Sequence, residues 1–281
     1  MTIAITGATG QLGRLVIQKL KTKTSAGGIV ALARDPAKAA DLGVAVRQAD
    51  YTAKDSLEQA LKGVDTLLLI SGNELGQRAT QHKNVFDAAK KNGVKKIVYT
   101  SLLHADTSSL NLAPEHVQTE HDLKNSGITY TILRNGWYTE NYTASAPTAL
   151  ENGAFYGSAG NGKISSAPRA DYAEAAAVVL TTAGHDGKTY EFAGDNAYTL
   201  SDLAAEIAKQ SGQEIPYANI PEEAYAQALT AAGLPEGLAA AIASWDVGAS
   251  NGALFATDKT LSTLLERPTT TLAASVTEAL K

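Results

Sequence analysis

The sequence predicts an α/β fold built on a doubly wound parallel sheet, and three observations predict it. Short apolar runs alternate with amphipathic stretches, the runs are almost unbroken Val, Ile, Leu and Ala, and a glycine-rich turn follows the first of them. Strands covered on both faces read as continuous aliphatic runs, because neither face meets water. Ile3-Ala4-Ile5 comes first, followed by a helical pattern through Leu12, Val16, Ile17 and Leu20. Ile29-Val30-Ala31-Leu32, Val44-Ala45-Val46, Leu67-Leu68-Leu69-Ile70, Ile97-Val98-Tyr99 and Tyr130-Thr131-Ile132-Leu133 continue the series. Helical segments lie between them, for example 76–91, with Val85, Ala88 and Ala89 inward, and 114–125. Six strands within about 135 residues fit the Rossmann architecture.

The rhythm changes after Arg134. Residues 136–165 mix five glycines with Trp137, Tyr138, Tyr142, Phe155 and Tyr156, and read as loops and a short helix over the carboxyl edge of the sheet. A helix over 171–182, a strand at Tyr190-Glu191-Phe192 and alanine-rich helices follow. The segments Ala224–Ala232 and Leu238–Ala243 could bury against the chain's own core or against a second copy in a homodimer.

Composition excludes several classes of partner. A net charge of -5 over 281 residues argues against nucleic acid, which needs a concentrated basic surface. The absence of cysteine removes disulfides, a thiolate nucleophile and cysteine-based metal sites. No apolar run approaches the roughly 18 residues that cross a bilayer, and MTIAITGATG is not a signal segment, so the expected compartment is the cytoplasm.

Gly7-Ala8-Thr9-Gly10-Gln11-Leu12-Gly13 joins the first strand to the first helix. Gly7 permits the tight turn, Gly10 lets the main chain approach a pyrophosphate, and Gly13 allows close helix–strand packing. Free amides at the helix start would hold the phosphates. At the end of the second strand, where an NAD site places an acid against the ribose, the sequence is Ala33-Arg34-Asp35. Arg34 suits a 2′-phosphate and points to NADP(H), although an Arg34–Asp35 surface pair, or Asp35 on the ribose of NAD, fits the same residues. Asp50 and Tyr51 end the third strand, beside the adenine position or in an ordinary turn. The expected organisation is a dinucleotide-binding domain over 1–135 and a smaller α/β substrate-binding part over 136–281, interleaved with elements returning to the first.

A nicotinamide across the sheet would reach Ser71-Gly72-Asn73, Ser101 and Asn135-Gly136 at the ends of strands four to six. Ser71 and Ser101 read equally as caps. The chemistry region lacks a Tyr-x-x-x-Lys pair; Tyr130 and Arg134 have the spacing but lie in a strand. His116 and Glu120 share a helix face and read as a surface pair rather than a proton relay, so His116 is expected to matter little for turnover. His116 and His121 do not share a face, and no metal site is expected. Gly-x-Ser-x-Gly is missing as well. No catalytic residue is assigned.

The segments AITGATGQLG, VRQADY, LLLISG, YTSLLHAD, EHVQTE, YTILRNGWYTENY, SAPRADYAEAAA and TTTLAASV together resemble the NmrA-like branch of the atypical short-chain dehydrogenase/reductases. The likeness is strongest to the bacterial NADPH:quinone oxidoreductases of that branch, with its triphenylmethane reductases next. It implies an NADPH-dependent reductase, with the cofactor loop on Gly7 to Leu12, the phosphate-selecting arginine at Arg34, nicotinamide contacts at Ser71 to Asn73 and Asn135 to Tyr138, and Arg169 beside the cleft. A surface arginine at a helix start is the other reading of Arg169. Hydride addition to a quinone leaves a weakly basic hydroquinone anion, so the missing Tyr–Lys pair fits flat conjugated acceptors held ring over ring. Trp137, Tyr138 and Tyr142 would line the slot, with core packing as the competing role for Tyr142. The NmrA resemblance leaves open a second role, a dinucleotide-binding redox sensor without turnover.

Overall fold

The computed structural model describes residues 1–281. The chain alternates strand and helix as β1 (Ile3–Ile5), α1 (Gln11–Lys21), β2 (Ile29–Ala33), β3 (Ala45–Gln48), α2 (Lys54–Ala60), β4 (Thr66–Leu69), α3 (Arg78–Lys91), β5 (Lys96–Leu102), α4 (Ala113–Asn125) and β6 (Thr129–Asn135). Six strands therefore fall within the first 135 residues, as the aliphatic runs predict. Then come α5 (Glu140–Thr143), α6 (Ala146–Asn152), β7 (Phe155–Gly157), α7 (Arg169–Thr181), β8 (Thr189–Phe192), α8 (Leu200–Ser211) and β9 (Tyr217–Asn219). Helices α9 (Glu222–Ala231), α10 (Glu236–Ser250), α11 (Thr260–Leu265) and α12 (Leu272–Ala279) complete the chain.

Seven strands form one parallel sheet in the order β3-β2-β1-β4-β5-β6-β8, and β7 pairs with β9 apart from it. Strand parity sorts the side chains. Ile3 and Ile5 enter one core with Leu12, Val16, Ile17 and Leu20 of α1 and Ala173, Ala176 and Val179 of α7. Ala4 points to the opposite core, among Leu57, Val85, Phe86, Ala89 and Leu123 of α2, α3 and α4. Alanines on α7 let it lie close along α1, and Lys19 Nζ bridges the pair to Glu174 at 2.8 Å. A third core joins α6, α8, α10, α12, β7 and β9 through Phe155, Leu200, Leu203, Ile207 and Val276. Residues 136–165 thus hold two short helices and a strand, more regular structure than the glycines suggest. Alanines of α10 bury into the chain itself, whereas α9 has no buried residue and packs on α10. No helix is long and apolar enough to cross a membrane.

Under the carboxyl ends of β5, β6 and β8 lies a buried ion cluster. Arg134 of β6 grips Glu120 of α4 in bidentate fashion, Nε and Nη2 each at 2.8 Å, while Nη1 reaches Glu191 of β8 at 2.8 Å and Asp106 at 3.0 Å. Arg134 and Glu120 are both buried, so each charge depends on the other for compensation. Replacing Arg134 by Met should lower stability by about 3 kcal/mol, because the Glu120 carboxylate loses its principal partner. Urea unfolding checks this; a loss below about 1 kcal/mol would show that the other groups on Glu120, Ser101 Oγ at 2.7 Å and Lys124 Nζ at 3.6 Å, suffice.

Candidate functional site

The strand order reverses between β1 and β4, where successive crossovers leave on opposite sides, and a cleft of about 850 Å³ opens at the carboxyl ends. Such a volume suits a dinucleotide and part of a second molecule. Its first wall is the glycine turn. Gly7 has φ +57°, and Gly10 begins α1 with no side-chain cap and no acid in the first turn, so the leading amides stay free for an anion. A Cβ on Gly13 would stand 2.3 Å from the Gly7 carbonyl oxygen, so helix and turn can approach only with hydrogen there. Gly7, Thr9, Gly10, Gln11, Leu12 and Gly13 all line the cleft. Ala8 does not: it is wholly buried, and its amide donates to the Leu32 carbonyl.

At the far end Arg34 and Asp35 leave β2. The predicted alternative, an Arg34–Asp35 pair, does not form. Asp35 accepts from the Ala37 amide at 3.1 Å to cap a short 3₁₀ turn, while Arg34 is 70% exposed with one long contact, 3.5 Å to Glu74. Lys38 lines the same corner. Asp50 is taken up by its own turn, accepting from the amide and hydroxyl of Thr52 at 2.8 Å each, and still forms part of the wall. Tyr51 donates to the Ile70 carbonyl at 2.7 Å, which fixes its ring against the groove.

The other end is assembled from β4, β5 and β6. Ser71, Gly72 and Asn73 leave β4 in an extended loop held from behind: the Ser71 amide donates to Thr100 Oγ1 at 3.0 Å and the Gly72 amide to His82 Nε2 at 2.9 Å. Arg78, the first residue of α3, donates from Nε to the Gly72 carbonyl at 2.8 Å. Ser101 lines the cleft and donates to Glu120 at 2.7 Å, so it acts as a spacer above the ion cluster rather than as a helix cap. Asn135 lines the cleft, while its Oδ1 is sealed without a partner in the chain. Gly136 has no room for a Cβ, which would meet the Phe192 carbonyl at 2.9 Å.

Beyond these strand ends the wall turns aromatic. Trp137 stands edge to face with Trp245 of α10, ring centres 5.6 Å apart. Tyr138 lies under the Arg169 guanidinium at 4.3 Å and against Tyr172 at 5.3 Å. Arg169 opens α7 and lines the cleft, clamped by Glu140 and Asn141 with its side chain mostly covered, so it is not a free surface arginine. Tyr142 does not join the slot. It is buried in the third core and donates to Asp246 at 2.9 Å, so of its two readings core packing is the one that holds.

His116 and Glu120 need a larger correction. The surface pair does not exist. Both are buried and bonded to the sheet: Glu120 pairs with Arg134 of β6 and accepts from Ser101 of β5, and His116 Nδ1 meets the Tyr99 hydroxyl of β5 at 2.7 Å. The helix packs this face onto the sheet, so a polar i,i+4 pair that suggests a solvated face instead spans two buried networks. Sequence reasoning also missed Arg78, His116 and Trp245 as cleft residues. A lone tryptophan in a helix of small residues was the one available signal for Trp245.

A glycine turn with free amides, a cation at the end of β2 and an aromatic chamber continuing the same groove define a dinucleotide-dependent protein with room for a flat guest. The chain belongs to the NAD(P)H-binding family, which matches residues 7–183. It is 61% identical to quinone oxidoreductase 2 of Escherichia coli (strain K12) over 277 residues, 98% of this chain and 97% of that one. The crystal structure of an NADPH-dependent quinone oxidoreductase from Escherichia coli complexed with NADPH superposes with a TM-score of 0.96 at 60% identity, covering all of both chains. The triphenylmethane reductase of Citrobacter sp. complexed with NADP(H) gives 0.95 at 38% identity, over 99% of this chain and 100% of that one. The family resemblance drawn from the motifs is thereby borne out.

Burial and the Arg78 cation hold the His82 imidazole neutral, with its pKa down at about 3. Below about pH 6.5 the unfolded chain therefore binds a proton there that the folded chain does not, and His82 removes up to roughly 1.4 kcal/mol of stability per pH unit as pH falls from about 6.5 toward 3. His82→Gln should flatten that part of the stability–pH curve, measured by urea unfolding between about pH 6 and 4; an unchanged slope would assign it to other groups.

Proposed function

We infer that this protein is an NADPH-dependent oxidoreductase that passes hydride to quinones or similar flat conjugated acceptors. One observation carries the reading: the aromatic chamber of Trp137, Tyr138 and Trp245 continues directly from the groove beside the glycine turn, so a dinucleotide and a planar guest share one cavity. Bound NADPH supplies the hydride. Residues 1–135 hold the dinucleotide, and 136–281 supply the aromatic wall while returning α7 and β8 to the sheet. Gly7, Gly10 and Gly13 shape the turn whose free amides take the pyrophosphate. Arg34 takes the 2′-phosphate. It has ample exposure and only a long contact to Glu74 to give up. Ser71, Gly72, Asn73, Asn135 and Gly136 set the depth of the nicotinamide. Trp137, Tyr138, Trp245 and Leu238 exclude water and orient the acceptor ring, the arrangement that hydride transfer between planar partners requires.

The sensor alternative has less support: its occupant would need no second aromatic chamber. Mixing the protein with NADPH and 1,4-naphthoquinone should consume the reduced nicotinamide well above the uncatalysed rate, followed by its absorbance. Tight NADPH binding with no turnover would favour the sensor. Arg34→Asp should raise KM for NADPH by about 10- to 100-fold and leave NADH much less affected, since it replaces a charge-assisted contact to the 2′-phosphate with repulsion. Equal changes for the two cofactors would defeat the Arg34 assignment.

A further inference from the structure

His116 lines the cleft together with Ser101 and the aromatic residues, and no role has been assigned to it. Its Nδ1 stands 2.7 Å from the hydroxyl of Tyr99, which is completely buried in β5. That contact is the phenol's one close hydrogen bond; the Thr119 and Ser101 hydroxyls also neighbour it but already donate to the Glu115 carbonyl and to Glu120, and the short geometry assigns the O–H to the lone pair on Nδ1. With Nδ1 accepting, the ring proton sits on Nε2. This second nitrogen has no partner inside the chain, and it is not among the sealed, unpartnered side-chain atoms, which are Asn135 Oδ1 and Ser275 Oγ. It opens into the cleft that His116 lines.

The charged and titratable groups around the ring come from three elements. Arg78 and His82 face it from α3 and Tyr99 from β5, while Glu115 and Glu120 sit on its own helix. Both carboxylates are engaged elsewhere, Glu115 by Arg78 and Glu120 by Arg134. No acid compensates an imidazolium, and burial with the nearby Arg78 cation holds the ring's pKa well below its ordinary value. The imidazole stays neutral at physiological pH.

We propose that His116 contacts the acceptor directly, its Nε2–H donating to a quinone carbonyl oxygen, with Tyr99 as the positioning residue that locks the tautomer. The proposal rests on the reductase reading and adds a catalytic residue to it. In the reaction the quinone accepts two electrons and one hydrogen nucleus as hydride, becoming the hydroquinone monoanion while NADPH becomes NADP⁺. A proton from water completes the hydroquinone. His116 keeps its own proton throughout; its hydrogen bond shortens as negative charge grows on the oxygen, so it stabilises the transition state more than the bound quinone.

Steady-state kinetics with NADPH and 1,4-naphthoquinone test this, with NADPH affinity followed in parallel by protein fluorescence. His116→Phe should lower kcat by roughly 10- to 100-fold with NADPH affinity unchanged, the loss expected when one donor to a developing charge is removed. His116→Gln keeps an N–H in reach and should recover most of the rate, while Tyr99→Phe, which frees the tautomer, should fall between. Wild-type kcat should be flat from about pH 6 to about pH 8, because a neutral donor does not titrate there. Wild-type kcat in His116→Phe, a Gln variant no better than Phe while both bind NADPH, or a rate that falls as pH rises through about 6.5 would each overturn the proposal. Absence of quinone turnover in the wild type would bring down the reductase reading itself, a result distinguishable from a wild-type enzyme indifferent to His116.

Discussion

A parallel sheet covered on both faces is the constraint from which the rest of this molecule follows. Its strands contribute side chains alternately to two cores, so the central strands are apolar through most of their length, and polar residues are driven to the ends and to the edge strands β3 and β8. Because the strands run the same way, all those polar ends gather at one edge. The reversal of strand order between β1 and β4 then parts the crossovers and leaves the cleft.

The close approach of α1 to its own turn refines that plan. Helix and turn meet where Gly13 faces the Gly7 carbonyl, and this contact aims the first-turn amides into the groove. On the opposite side of the sheet's centre, Arg134 ties β6, α4 and β8 into a single unit below Ser101. The cluster is energetically costly to bury and earns its place by geometry: it fixes the height of Ser101 and the packing of α4 against β5. The same packing presses His116 against Tyr99. A structural network and a chemical group thus share one helix face.

The aromatic chamber depends on the C-terminal elements. Trp245 reaches the cleft because α10 is held against the chain by its buried alanines, Ala249 within the third core, and Asn111 accepts from the indole at 2.8 Å. Arg169 covers Tyr138 because Pro168 starts α7 beside β6. Residues far apart in the chain meet there, which explains why the chamber is harder to foresee than the glycine turn.

Elements whose information is local were legible in the amino-acid sequence: six strands, the glycine turn, Arg34 at the end of β2, and the polar termini of β4 to β6, together with the family they mark. Spacing carries these because a strand's period and a turn's steric demands act between near neighbours. Three matters were decided only in three dimensions. Tyr142 was withdrawn into a core by Asp246, Trp245 was brought to the cleft by α10, and the His116–Glu120 face was turned inward by the packing of α4 on the sheet. Periodicity tells which residues share a face of a helix, but which way that face points is settled by the surfaces that must be buried against it.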